Sequence, residues 1–486
     1  MRARRTGLNI SIFSISEINN TYFGEEMKLK SLVGDRSFYK MTFTVALPIM
    51  LQNFITNLVN MLDNLMVGSV GTEQMTGVSV VNQLVFIFNL AIFGAISGVG
   101  IFTAQFYGKK DNDGIRYTLR YKLYICVVLF AIALGIFLLF NEPLISMFLH
   151  ESGDGVDIAA TMGYAREYLY VILFGLLPFA VANAFAGTLR ETGDTFTPMV
   201  TGLVAVVVNC LFNYLLIFGK FGFPMLGVKG AATATVLSRY VECIIIVAYA
   251  VAKRKTKFPY VRYILKSFTI PGELTVAVTK KAIPLFLNEV LWSTGMSMLT
   301  VAYSLHGPMV VAASSISSTV NNLFMIAFLS LGSSIGIIAG RLLGANKHEE
   351  AVDAVKKLIA FSVFLSIIMG ILLFSVGSLI PSLYKETDDA AKELAVYFIR
   401  VFSLIMWIDA IANASYFTLR SGGKTFVTFL FDSGTLWVLS VPVAFILYYA
   451  GFSIHWVYPI IQLIGVVKVI VGLALVEKKV WVRTII

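Results

Sequence analysis

Apolar residues in this chain run in long, nearly unbroken stretches, as from Leu123 to Phe140 and from Leu358 to Val376. The period-two alternation of a membrane β-barrel is missing, and runs this long predict helices that cross a bilayer. Breaks at Gly, Pro and charge clusters divide the chain into twelve stretches: 40–67, 77–106, 117–140, 164–188, 197–218, 231–252, 278–303, 310–340, 354–380, 394–419, 425–450 and 455–476. The expected fold is an all-α membrane protein with twelve transmembrane helices.

Composition sharpens this. Of 486 residues, 57% are hydrophobic and 14% charged, and the mean hydropathy is +0.81. Soluble domains carry about 25% charge, so this chain cannot wet a globular surface. Twelve spans leave no room for a sizeable soluble domain. Cys126, Cys210 and Cys243 all lie in apolar runs and read as small buried hydrophobes.

The net charge of +10 is a topology signal. With the N-terminus inside, cytoplasmic segments hold thirty Lys and Arg, while the outer loops hold only Lys220, Lys229, Lys385 and Lys392. That bias predicts both termini in the cytoplasm of a cell-membrane protein and removes the reason to invoke nucleic acid. Residues 1–35 lack the apolar core of a secretory signal and read as a cytoplasmic lead-in. Because Met27 opens the stretch leading into the first span, residues 1–26 are either part of that lead-in or precede the true start.

The chain repeats itself. Ala46-Leu-Pro48 matches Ala282-Ile-Pro284 at an offset of 236, which also pairs Gly71 with Gly307, Gly100 with Gly336 and Gly108 with Gly344. Leu189-Arg190-x-x-Gly193 matches Leu419-Arg420-x-x-Gly423 at an offset of 230. Each repeat carries six spans, an even number, so the halves should be related by an axis along the membrane normal. The expected domains are a first lobe over 36–252, a basic cytoplasmic linker over 253–277 and a second lobe over 278–486. A cleft between such lobes suggests alternating access.

Ionisable groups inside spans are costly and need a reason. Asp63 falls in the outer half of span 1, Glu289 and Asp409 near the middles of spans 7 and 10, Asp432 in the inner part of span 11, and Lys468 within span 12. Glu289 corresponds to Asn53 in the other repeat, Asp63 to Leu299, and Asp409 to Phe179. The scaffold is duplicated but its acids are not, which favours a chemical role: a carboxylate that exchanges a proton or Na+ for substrate. The alternative is a structural hydrogen bond to a neighbouring Asn, Ser or Tyr. Asp432 and Lys468 suit a structural pair as well as a coupling pair. Asn209 and Asn213 share one face of span 5, where they can coordinate a cation or simply bond neighbouring helices.

Other chemistries find little support. His150, His306, His348 and His455 are scattered, without metal-site spacing, so no metal site is expected beyond Na+ at Asp63 or at Glu289 and Asp409. Ser421-Gly-Gly-Lys-Thr425 resembles the end of a phosphate-binding loop, but that motif needs Gly where Thr418 stands. Neither ATP hydrolysis nor an organic cofactor is expected, and no catalytic constellation of an enzyme is visible.

In order and spacing, four fragments resemble the multidrug and toxic compound extrusion (MATE) family. They are Pro48 followed by Asp63-x-x-x-Val67-Gly68; Leu189-Arg190-x-x-Gly193-Asp194-Thr195; Asn209-x-x-x-Asn213-Tyr214; and Pro224-x-x-Gly227-Val228 leading to Thr235. In the second half, Pro284-x-x-x-Asn288-Glu289 and Asp409 ten residues before Leu419 fit as well. The resemblance implies a V-shaped pair of six-helix lobes in a monomer that exports small organic cations from the membrane against H+ or Na+ flow. By position it implies an N-lobe cation site of Asp63, Asn209, Asn213 and Thr235, and a C-lobe site of Glu289 and Asp409. Some members carry Asp where this chain has Asn213, which leaves the N-lobe site one carboxylate fewer. The competing expectation is a flippase for lipid-linked precursors; it would need Arg or Lys in the central cleft, for which the spans offer only Arg400 and Lys468.

Overall fold

A computed structural model describes residues 32–147, 157–381 except 265 and 268, and 388–486. The lead-in up to residue 31, His150 and Lys385 fall outside these residues. The described residues contain no strand. Twelve long helices carry the fold: α1 (Arg36–Gly68), α2 (Thr72–Gly108), α3 (Asn112–Leu139), α4 (Ile158–Glu191), α5 (Phe196–Phe218), α6 (Val228–Ala252), α7 (Gly272–Ser304), α8 (Pro308–Gly344), α9 (His348–Val376), α10 (Asp389–Ser421), α11 (Thr425–Tyr449) and α12 (Ile454–Glu477). Eleven are long and apolar enough to cross a membrane by length and composition alone; α7, with Glu273, Lys280, Lys281 and Glu289, is the other.

Local chemistry explains several boundaries. Asp111 caps α3 by accepting from the Gly114 amide, and Asp157 caps α4 by accepting from those of Ala159 and Ala160. Gly219 closes α5 in the left-handed conformation, φ 62°. Pro48 lies inside α1 and removes one intrahelical bond; the carbonyl it frees, Thr44 O, accepts from Thr195 Oγ1 of the neighbouring loop at 2.8 Å. Pro459 in α12 likewise frees His455 O, which accepts from Tyr397 Oη at 2.7 Å.

Helices α1–α6 and α7–α12 form two lobes. The lobes join at the end carrying the basic loops and the linker, here the basic end. The hydrogen bonds between the lobes, from Tyr121–Thr279 and Gln105–Ser421 to Asn53–Ser330, lie between that end and the helix midpoints. The join obeys the internal repeat. Gly108 of α2 meets Arg341 O of α8, while Gly344 of α8 meets Gln105 O of α2, with no space for a Cβ at either. Arg341 Nε and Nη2 donate to Glu191 O and Arg190 O at the C-terminus of α4, at 3.0 and 2.7 Å. The repeat-related Gln105 donates to Ser421 O at the C-terminus of α10, at 3.1 Å. Carbonyls at the two helix ends are thus bonded from the opposite lobe; Arg190 O accepts from Gly193 N as well, at 3.1 Å. The last residues thread beneath this closure, where Ile485 N donates to Gln105 Oε1 at 2.9 Å.

The linker is clamped to the first lobe. Arg120, 6% exposed, donates to the carbonyls of Tyr263, Ile264 and Thr269, and Tyr260 Oη lies 2.8 Å from Thr192 Oγ1. Asp194, between α4 and α5, accepts from Lys257 Nζ at 2.6 Å and from Thr197 N and Oγ1 at 3.0 and 2.7 Å. Burial alone would raise the Asp194 pKa, but the Lys257 ammonium and the Thr197 donors outweigh it and hold the carboxyl below its ordinary range.

A pKa lowered in the folded state gives stability that is present above the ordinary carboxylate range and lost as pH falls through the lowered value. Asp194→Asn should therefore lower thermal stability at neutral pH by about 1–2 kcal/mol, and the gap to wild type should close on acidification when melting curves in detergent are compared. Gly344→Ala drives a methyl into the Gln105 backbone; overpacking of about 1–3 kcal/mol should appear in the same assay.

Candidate functional site

The first lobe gathers Asp63 from α1, Asn209 and Asn213 from α5, and Thr235 from α6. Asn213 Nδ2 donates to Asp63 Oδ1 at 2.6 Å, and the Asn209 amide lies 2.9 Å from both Asp63 oxygens, to which it donates when its nitrogen faces them. In the opposite amide orientation Asn209 Nδ2 donates to Thr235 Oγ1 at 3.3 Å. The i, i+4 spacing of the two amides aims both at one carboxylate. Asn213 Oδ1 is buried without a partner, an oxygen left over beside Asp63. The set offers carboxylate, amide and hydroxyl oxygens of the hard kind that suit a small cation. Among the described residues no three His, Cys, Asp or Glu come together as a metal site.

The second lobe is built differently. Lys468 Nζ of α12 donates to Asp432 Oδ1 of α11 at 2.7 Å, and Asn288 Nδ2 of α7 donates to Asp432 Oδ2 at 3.1 Å. Asn288 Oδ1 in turn accepts from Ser433 Oγ at 2.7 Å. Here the regular helix gives way. Leu430–Gly434 and Leu436–Ser440 are wound as π turns, and α12 is interrupted at Ile464, between Leu463 and Gly465. Such widened turns recur where a helix must present side chains at unusual angles.

Glu289 and Asp409 do not touch each other. Neither makes a hydrogen bond or ion pair with any described residue; Glu289 lies in the field of Arg420 and Asp409 in that of Lys468, and Asp432 acts on both. The repeat makes the isolation of Glu289 informative. Its counterpart Asn53 donates to Ser330 Oγ across the lobe boundary at 3.2 Å. Glu289 meets the counterpart of Ser330, which is Gly94, and Gly94 has no side chain to answer. One of two equivalent contacts is a satisfied amide; the other is an unpaired carboxylate.

Three readings from sequence need revision. Arg190 and Arg420, counted as loop cations, stand in the last turns of α4 and α10 and line a cavity between the lobes. The expectation that the spans offer the cleft only Arg400 and Lys468 is thereby corrected. Lys122, counted in a cytoplasmic segment, is fully buried and paired with Glu191. The buried network also contains Asn288 and Ser433, which sequence reading did not single out; adjacency of Asn288 to Glu289 was the available signal.

The Asp432–Lys468 pair is about one-fifth exposed at each side chain. Removing one partner strands the other charge, so Asp432→Leu or Lys468→Leu alone should each cost about 3 kcal/mol. The double replacement should recover most of that loss, as judged by thermal unfolding of the purified variants.

Comparison with known proteins agrees with the geometry. The MatE family profile matches residues 48–215 and 284–446, one segment in each repeat. A probable multidrug resistance protein NorM of Thermotoga maritima is 26% identical over 407 residues, covering 83% of this chain and 84% of its own. The probable multidrug resistance protein YoeA of Bacillus subtilis is 28% identical over 416 residues, covering 82% and 85%. Among solved structures, a MATE in complex with MaL6 superposes with a TM-score of 0.80 at 20% identity, covering 94% of this chain and 98% of that one. An outward-facing multidrug resistance MATE family transporter of the MOP superfamily also gives 0.80 at 20% identity, covering 93% and 97%. A duplicated six-helix scaffold, closed at one end and matched over both repeats, places this chain in the MATE family of multi-pass membrane transporters.

Proposed function

We propose that this protein is a cation-coupled antiporter, driven by H+ or Na+, that exports organic, cationic and amphipathic drugs or toxins by alternating access. In this reading the basic end and both termini face the cytoplasm of a cell-membrane protein that works as a monomer. The relatives named as multidrug resistance proteins support the substrate class. The observation that carries the reading is the unpaired Glu289 at the lobe boundary, opposite Gly94, where the equivalent Asn53 is bonded.

A carboxylate in this position has two possible partners, a coupling ion and a cationic substrate, and it can neutralise only one at a time. Ligands shift a conformational equilibrium only by their difference in affinity for its two states. With the basic end sealed, a substrate held near Glu289 can leave only outward, and an incoming H+ or Na+ takes its place. Asp409 couples to the same charge network through Asp432. Asp63, with its amide and hydroxyl neighbours, is the first lobe's cation site; lacking a second carboxylate at Asn213, it suits one monovalent ion.

The test is transport. In proteoliposomes, an imposed H+ or Na+ gradient should drive uptake of a fluorescent organic cation, with the two gradients applied separately to name the ion. Glu289→Gln and Asp409→Asn should each reduce coupled uptake at least tenfold, and undiminished coupled uptake in both variants would overturn the assignment.

A further inference from the structure

The cavity between the lobes, about 190 Å³ in volume, lies on the internal symmetry axis. Its walls come in repeat-related pairs: Ser97 with Ser333, Gly100 with Gly336, and Arg190 with Arg420. Glu191 lines it too, but that carboxylate is neutralised by the buried Lys122. Their counterparts in the other repeat, Ser421 and Leu358, carry no charge. The arginines are what remains.

Neither guanidinium has an ion-pair partner among the described residues. Arg190 Nη2 donates to Gln52 Oε1 at 2.7 Å, while its Nε is buried and unpartnered. Arg420, only 6% exposed, lies over the rings of Tyr416 and Phe417, and its Nη1 is buried and unpartnered. The fields of Glu242 and Glu191 reach Arg190 and that of Glu289 reaches Arg420, but none of these carboxylates forms an ion pair with either guanidinium. A place in the last turn of a helix accounts for a positive charge there. It does not account for buried N–H groups with nothing to bind, which cost about 1–3 kcal/mol each. Two planar forks lining one small cavity suit an oxyanion.

We propose that Arg190 and Arg420 form an anion site, which takes the carboxylate, sulfonate or phosphate group of an amphipathic organic anion, whether a dissolved compound or a lipid headgroup. The cation position adjoins it: Glu289 rests against Gly94, whose neighbours Phe93 and Ser97 line the cavity, yet its carboxylate makes no hydrogen bond or ion pair with either arginine. The site rests on the transporter reading only for the route by which an anion arrives, so binding without any gradient tests it independently.

The full-length protein in phosphatidylcholine nanodiscs is titrated with 1-naphthoate and with its uncharged isostere 1-naphthamide, followed by fluorescence. Naphthoate should bind wild type at least tenfold more tightly than naphthamide. Arg190→Gln and Arg420→Gln should each abolish that preference without changing naphthamide binding, and Arg420→Lys, which keeps the charge but loses the fork, should retain part of it. Adding phosphatidylglycerol separates the sources. Competition with naphthoate, together with phosphatidylglycerol retained by wild type but not by Arg420→Gln in native mass spectrometry, assigns the site to a lipid headgroup; no competition assigns it to a dissolved anion. Equal binding of the two probes to wild type would overturn the proposal, and needs no variant to fold. So would a preference that survives in both Gln variants, or one lost in Lys424→Gln, which lines a separate open basic cavity with Lys281 and Arg483.

Discussion

The structure depends on one reciprocal contact, the crossing of α2 and α8 at Gly108 and Gly344. Each glycine lets the backbone of the other repeat approach to where a side chain would stand. That approach brings Arg341 and Gln105 to the open C-termini of α4 and α10, whose last carbonyls have no partner within their own helices. In a membrane protein such carbonyls are expensive to leave unfilled. Filling them from the opposite lobe makes closure of the basic end favourable, and separating the lobes there would expose all of them together. A two-state gate requires this kind of cooperative seal.

Duplication then provides a control within one molecule. What both halves share, including Pro48 and Pro284, Gly100 and Gly336, and Arg190 and Arg420, belongs to the scaffold and the central cavity. What they do not share is concentrated in the acids. Asp63 is enclosed by amides in the first lobe. In the second, Asp432 holds Lys468 and Asn288, while Glu289 and Asp409 stay unpaired. The helical irregularities follow the same division, since the π turns of α11 and the interruption of α12 adjoin Asp432 and Lys468 and have no counterpart in α5 and α6.

Much of this was legible in the residues. Unbroken apolar runs gave the helices, the two offsets gave the repeat, and the i, i+4 spacing of Asn209 and Asn213 placed both amides on the face that meets Asp63. The Asp432–Lys468 pairing was legible as one of two alternatives, because opposite charges on successive spans tend to find each other. Arg190 and Arg420 were misplaced for an identifiable reason. Each lies just before a Gly-rich turn at the end of an apolar run, where a basic residue normally snorkels to the membrane surface. Nothing local reveals that the opposite lobe covers that surface. Lys122 went astray in the same way, because its partner Glu191 is distant in sequence and contributed by another helix.

By itself, then, the sequence determined the spans, their pairing into two equivalent halves and the small set of charges that a bilayer should exclude, because these follow from transfer cost and periodicity along one chain. Only the tertiary structure decided which of those charges are neutralised. Whether a buried ionisable group is satisfied depends on the side chain facing it from another helix. The difference between Asn53 and Glu289 is a Ser330 in one case and a Gly94 in the other, 277 and 195 residues away in the chain.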